Sequence, residues 1–241
     1  MSRRLPAALA VLIVAGCSSS APSAPSNPPP PAPTTFRVSS ITDGDTLRFS
    51  PALEGSTTLR LLGVDAPEAA QAPWGSASTA GLQQLAPSPT ELTIETDQRH
   101  VDSFGRVLGH AIRRDGLNVN REQLRTGQAV TFVIWPNMNR FEDYRAAQID
   151  AQSNQRGIWD PARPLAELPF EYRLRIDGDV PFRPVGDFFT RQYVEPADYR
   201  RVHVNNRVFF DTRGDAAAAG YQPCPRGPAG EYASQCFAPG R

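Results

Sequence analysis

Arg60 sits between Leu59 and Leu61 in the apolar, strand-like run Thr57–Val64, TTLRLLGV. A guanidinium there has its stem in or beside a core, where an unpartnered charge is costly. The same run ends in Asp65-Ala66-Pro67-Glu68. Two more charged motifs flank strand-like segments: DGDT (Asp43–Thr46) and DSFGR (Asp102–Arg106). One arrangement satisfies all of these charges. A hard cation is held by Asp oxygens, and a phosphate is held by the cation and by both Arg60 and Arg106. That is the layout of a metal-dependent phosphodiesterase site, and it requires a fold that brings three separate strand ends together.

The pattern around these motifs is β-like from Phe36. FRVSSI and TLRF flank an Asp-Gly turn, a hairpin signal, and TTLRLLGV is a third strand stopped by Ala66-Pro67. TELTIET and RVLGHAI are two further strands. Helices are expected over Ser76–Leu85, from an Asn118 cap to Gly127, and over Arg140–Gln155 before Gly157. AVTFVIW reads as a short extended piece ended by Pro136. Five strands with helices between and after them predict a mainly β fold, a small closed barrel capped by about three helices. After Asp160 the character shifts. Pro161–Leu165 reads as a linker, and residues 165–241 read as a small, separate α+β appendage of uncertain role.

The residue types narrow the chemistry. Asp45 begins the second strand, and Asp65 ends the third, just before Pro67 forces the chain out of the sheet. Two carboxylates at neighbouring strand ends, with a backbone carbonyl such as that of Ala66, form an oxygen-only set. Such a set suits Ca²⁺, Mg²⁺ or Mn²⁺ and not zinc. Taken singly, Glu68 also reads as a surface acid, Arg106 as an exposed turn arginine and Arg60 as half of a core ion pair. His110 and His203 read as structural or surface residues. The chain contains no lysine, so its 25 basic residues are all Arg, a feature of base composition rather than of chemistry. Residues 36–160 carry 12 Arg against 15 Asp and Glu. This segment lacks the basic footprint of a protein that grips nucleic acid by its whole backbone, so phosphate binding must be local to a site.

The N-terminal segment reads as export machinery. Residues 1–16 combine Arg3-Arg4 with an apolar run from Leu5 to Val14 that is too short for a permanent span. Val14-Ala15-Gly16-Cys17 resembles the lipobox of bacterial lipoproteins, which implies lipidation of Cys17. Residues 17–35, almost wholly Ser, Ala and Pro after the cysteine, form a semi-extended tether. The expected location is the outer side of a bacterial membrane, with the domain facing periplasm or exterior. Cys224 and Cys236 remain as a pair, which in an exported chain suggests a disulfide; a free pair or a zinc half-site are the alternatives.

DGDT, LRLLGVDAPE, DSFGR and the later GIWD (Gly157–Asp160) resemble, in order and spacing, the staphylococcal nuclease (thermonuclease) family over about residues 36–160. The resemblance implies an OB-fold five-stranded barrel. It implies Ca²⁺ held by Asp45, Asp65 and the Ala66 carbonyl, with Asp43 in support. It places Arg60 and Arg106 on the scissile phosphate and Glu68 on the attacking water, with DNA, and RNA as a further candidate, as substrate. The 5′ side of the phosphate would be cut, leaving 3′-phosphate ends. Ser103 and Phe104 depart from the family's best-known member, where a Lys and a Tyr meet the terminal phosphate. Phe132 and Ile134 stand where tyrosines line its base pocket, and Trp135 is a candidate replacement for stacking. The segment FFDTRGDAAAAGYQPC is similar to the helical end of small Cys-zinc modules, though without their upstream cysteine pair. The competing reading is a non-catalytic OB-fold module binding oligonucleotides or another anionic polymer. Retention of every acid and arginine in the motifs favours the enzyme.

Overall fold

The computed structural model describes residues 34–240. The expectations for residues 1–16, for Cys17 and for most of the tether lie outside the described residues.

Alternating burial builds the barrel. In β1 (Phe36–Ile41) Phe36 and Val38 point inward, and in β2 (Thr46–Leu53) Leu47 and Phe49 do. The two strands pair antiparallel with Val38 opposite Phe49, and the Phe36 and Phe49 rings meet edge to face at 5.3 Å. β3 (Ser56–Leu61) pairs with β2 and runs parallel to β6 (Val107–Arg113). β5 (Glu91–Glu95) joins β6 to β1 and closes the circle β1-β2-β3-β6-β5. Closure removes the sheet edges, and the interior fills with Leu47, Leu59, Leu61, Leu92 and Val107. This is the five-stranded OB-type barrel expected from the sequence.

One strand departs from expectation in a way that matters for the site. TTLRLLGV is not continuous: β3 ends at Leu61, and β4 (Gly63–Asp65) starts anew at Gly63, whose φ is +72°. Glycine takes this left-handed conformation without a Cβ penalty. The chain turns out of the barrel there and pairs antiparallel with β7 (Val130–Ile134).

Three helices cap the barrel. α1 (Trp74–Leu85) buries Trp74, Ser78 and Leu82. α2 (Val119–Arg125) is capped by Asn118, whose side chain accepts from the Arg121 N–H, one of the otherwise orphaned donors of a first turn. α3 (Phe141–Ser153) packs Tyr144 and Ala147 onto the barrel core.

The remaining elements are α4 (Pro169–Asp177), β8 (Val185–Asp187), β9 (Gln192–Val194), β10 (Arg207–Phe209), α5 (Arg213–Ala218) and β11 (Gln222–Pro223). They build a second sheet of order β11-β9-β8-β10-β7-β4. β10 lies parallel to β7, with Val208 opposite Val133. The linker at Pro161 therefore marks a change of composition and not a packing boundary, and the described residues form one compact unit. Phe132 on β7 packs at 5.6 Å from Phe170 of α4 and 4.5 Å from Phe209 of β10. Cys224 and Cys236 are joined in a disulfide inside the same apolar cluster, which leaves neither sulfur as a thiolate for zinc.

Candidate active site

The DGDT turn is held from below by α2. Buried Gln123 donates from Nε2 to the Gly44 carbonyl at 2.7 Å. A Cβ at Gly44 would lie 1.9 Å from Ser78 Oγ, so the turn can lie against α1 only with glycine there. Asp43 Oδ1 accepts the Asp45 N–H at 3.0 Å. Burial, then the neighbouring Asp45 charge, push the Asp43 carboxyl up to about 6. Asp45 Oδ1 accepts from the Thr46 hydroxyl at 3.0 Å, and its Oδ2 accepts the Ala66 N–H at 2.8 Å. That last bond ties the first motif to the end of β4, 21 residues away.

Asp65, fully buried at the end of β4, faces the same point. Arg60 bridges the two acids, with Nη1 at 2.5 Å from Asp45 Oδ1 and Nη2 at 3.1 Å from Asp65 Oδ1. Burial raises the Asp65 carboxyl, while Arg173 and Arg60 pull it down. A second buried amide, Asn120 on α2, donates to the Leu62 and Gly109 carbonyls at 2.9 and 3.1 Å. It thereby fixes the point where β3 gives way to β4.

Glu68 stands in the loop between β4 and α1. Its N–H donates to Gln71 Oε1 at 2.9 Å, and Gln71 Nε2 donates to the Glu167 carbonyl at 3.0 Å. On the opposite wall, Arg106 donates from Nε to Asp102 Oδ2 at 2.8 Å and lies 5.4 Å from the Phe104 ring centre. Asp102 Oδ1 also accepts the backbone N–H groups of Phe104 and Arg106 and so shapes the DSFGR turn. Asp43, Asp45, Arg60, Glu68 and Arg106 all line one open cleft of about 920 Å³. The structure thus gathers the three motifs, with Asp65 and Ala66 buried immediately behind.

The sequence reading missed one member of the cluster. Arg173, carried on α4, donates to Glu68 Oε1 at 2.7 Å and to both Asp65 oxygens at 2.9 and 3.1 Å. Burial opposes its charge, but Asp65 and Glu68 outweigh that and hold the guanidinium above its ordinary range. Nothing local distinguishes Arg173 from the other arginines, since its partners lie more than a hundred residues away. Phe132 and Ile134 line the same cleft, packed partly buried against the cluster that contains Phe170 and Phe209. Trp135, considered as a stacking surface, packs partly buried beside Phe141 and Val208.

The donor set tests what cation could sit here. Among the described residues no group of three or more His, Cys, Asp or Glu side chains converges on a metal position. The set consists of two carboxylates, Asp45 and Asp65, and the Ala66 carbonyl, all hard oxygens. One guanidinium already reaches both acids, so a single positive charge can sit between them. This chemistry fits an oxygen-seeking divalent ion with several positions left to water and substrate.

Comparison with known proteins gives matches to nucleases. A family profile described as Staphylococcal nuclease homologue matches residues 58–161. "Endonuclease YhcR" of Bacillus subtilis is 36% identical over 197 residues, which is 77% of this chain but only 16% of that protein. An "Uncharacterized endonuclease" of Escherichia coli is 31% identical over 137 residues, 57% of this chain and 84% of its own length. The "Probable staphylococcal-like nuclease CAN1" of Oryza sativa is 30% identical over 118 residues, 48% of this chain and 32% of that protein. The Bacillus match extends well outside residues 58–161.

Proposed function

The chain belongs to the staphylococcal nuclease homologue family, and from that membership we propose that it is a Ca²⁺-dependent nuclease that hydrolyses phosphodiesters of DNA, with RNA as a second candidate substrate. The single observation that carries the reading is the convergence of Asp45, Arg60, Glu68 and Arg106 on one cleft, with Asp65 buried behind it and paired with Arg60.

Asp45, Asp65 and the Ala66 carbonyl would hold the ion. When bound, the ion supplies charge neutralisation at a non-bridging phosphate oxygen and a template for substrate. The chain's own residues do the rest. Arg60 reaches the cleft from β3 and Arg106 from the DSFGR turn, and each presents a planar fork suited to two phosphate oxygens. Both now pair with aspartates, so binding a phosphate exchanges one anion for another. Glu68 is the only candidate base on the loop facing them, and it would take the proton from the attacking water. Stabilising charge on equatorial oxygens and placing the water account for most of the rate in such reactions.

Export and lipid anchoring at Cys17 are part of the same proposal, resting on the Val14–Cys17 motif. Labelled palmitate should enter the native chain in a bacterial host and fail to enter Cys17→Ser; equal labelling overturns the anchor. For the activity, a quenched fluorescent oligonucleotide of DNA and one of RNA should each be incubated with Ca²⁺ and with EGTA. Cleavage that needs Ca²⁺ supports the proposal, and equal cleavage in EGTA rules the ion out.

A further inference from the structure

Arg173 lies on the two acids that the proposed chemistry most needs free. Its Nη2 spans both Asp65 oxygens, at 2.9 and 3.1 Å, and its Nη1 is 2.7 Å from Glu68 Oε1. Asp65 is wholly buried, and Arg173, which lines the cleft, covers both of its oxygens. Arg60 takes only one Asp65 oxygen, whereas Arg173 takes both, so a divalent ion that binds Asp65 must compete with Arg173, and the two positive charges repel.

The helix that carries Arg173 is built to present it. Pro169 opens α4, the Glu171 carboxylate accepts the Leu168 N–H at 3.2 Å, and Gly178 closes the helix at φ +72°. Phe170, Arg173, Leu174 and Asp177 all line the cleft, at the i, i+3, i+4 and i+7 positions of one face. Phe170 anchors that face in the cluster shared with the Cys224–Cys236 disulfide. The Arg173 side chain is still 37% exposed, so its guanidinium has room to move while the backbone stays. Asp177, four residues on along the same face, is exposed and makes no ion pair among the described residues. An Arg and an Asp at this spacing on a helix are neighbours.

We infer that Arg173 is the resident counter-cation of the Asp65–Glu68 pair, and that the divalent ion binds by displacing its guanidinium toward Asp177. Arg173 thereby sets the affinity of the site for its ion, and the C-terminal region becomes part of the active site. This rests on the reading of Asp65 as an ion ligand.

The test is Ca²⁺ titration by calorimetry of the purified full chain, without substrate. Arg173→Gln should bind Ca²⁺ at least tenfold more tightly than the native protein, with Arg173→Lys between them. Arg183→Gln removes the same charge from the same cleft and should shift affinity less than about threefold. Asp177→Asn should weaken binding in the native background and have no effect in Arg173→Gln. Unchanged or weaker binding by Arg173→Gln overturns the inference, as does an Asp177→Asn effect of equal size in both backgrounds. Asp65→Asn separates the two levels: loss of binding upholds Asp65 as a ligand, whereas native-like binding overturns that reading and the inference with it.

Discussion

Gly63 lies flat against the ring of Tyr144, so that a Cβ added to Gly63 would stand 2.7 Å from Tyr144 Cδ2. The contact locks α3 against the point where the chain leaves the barrel to become β4. Asp65 follows two residues later, and its position depends on that exit.

Gly63→Ala therefore meets two obstacles, a left-handed φ of +72° and a collision with a buried ring. Each costs roughly 1–3 kcal/mol, so urea unfolding should show a loss of about 3 kcal/mol. Because Asp65 moves with the exit, Ca²⁺ affinity should fall as well. A variant with native stability would show that the exit tolerates a side chain.

Tyr144 also explains a buried histidine. Its hydroxyl lies 2.7 Å from His110 Nδ1. Burial, then the Arg140 charge, pull the imidazole down from 6.5 to about 4. The unfolded chain then binds a proton between pH 6.5 and 4 that the native state refuses, so stability is lost as pH falls through that window. A shift of this size corresponds to at most about 3 kcal/mol. His110→Gln should flatten the native slope of unfolding free energy between pH 7 and 4.5; parallel slopes would contradict the assignment.

Arg60 compensates two acids in an apolar setting, one of them fully buried. Removing one partner of a buried ion pair typically costs 3–5 kcal/mol. Asp65 retains Arg173, so Arg60→Ala should cost about 3 kcal/mol in metal-free protein. Ca²⁺ should restore part of the lost thermal stability, since a ligand of the native state stabilises it by mass action. A melting temperature indifferent to Ca²⁺ in this variant would count against the ion site.

The barrel was legible because its strands alternate and its turns carry Asp-Gly and Gly signals that act locally. The break in TTLRLLGV was missed, since Gly63 inside an apolar run looks like a weak strand residue until its φ is known. The clustering of the acids and arginines between Asp43 and Arg106 was readable from motifs because charge in an apolar strand demands a partner. Arg173 was not readable, because its partners are distant in sequence. Pro161 signalled a boundary, yet the Val208–Val133 pairing that carries the second sheet across it leaves no local mark. The role of Gln123 under Gly44 was likewise invisible, as a glutamine on a helix ordinarily faces solvent.

The Cys224–Cys236 bond closes a loop with a sequence separation of 12 residues in the cluster that also holds Phe170. A crosslink of that span contributes about 3 kcal/mol by restricting the unfolded chain. The double variant Cys224→Ser with Cys236→Ser should unfold at correspondingly lower urea, and reductant should shift the native protein and not the variant. Identical midpoints in all samples would show that the bond contributes nothing.

Steady-state cleavage of a fluorogenic oligonucleotide in Ca²⁺, comparing the native chain with Glu68→Gln and Arg106→Ala, tests the central claim most directly. The account predicts Ca²⁺-dependent turnover that falls about a hundredfold or more in each variant while circular dichroism is unchanged. Native-like turnover in both folded variants, or none from folded native protein, would contradict it.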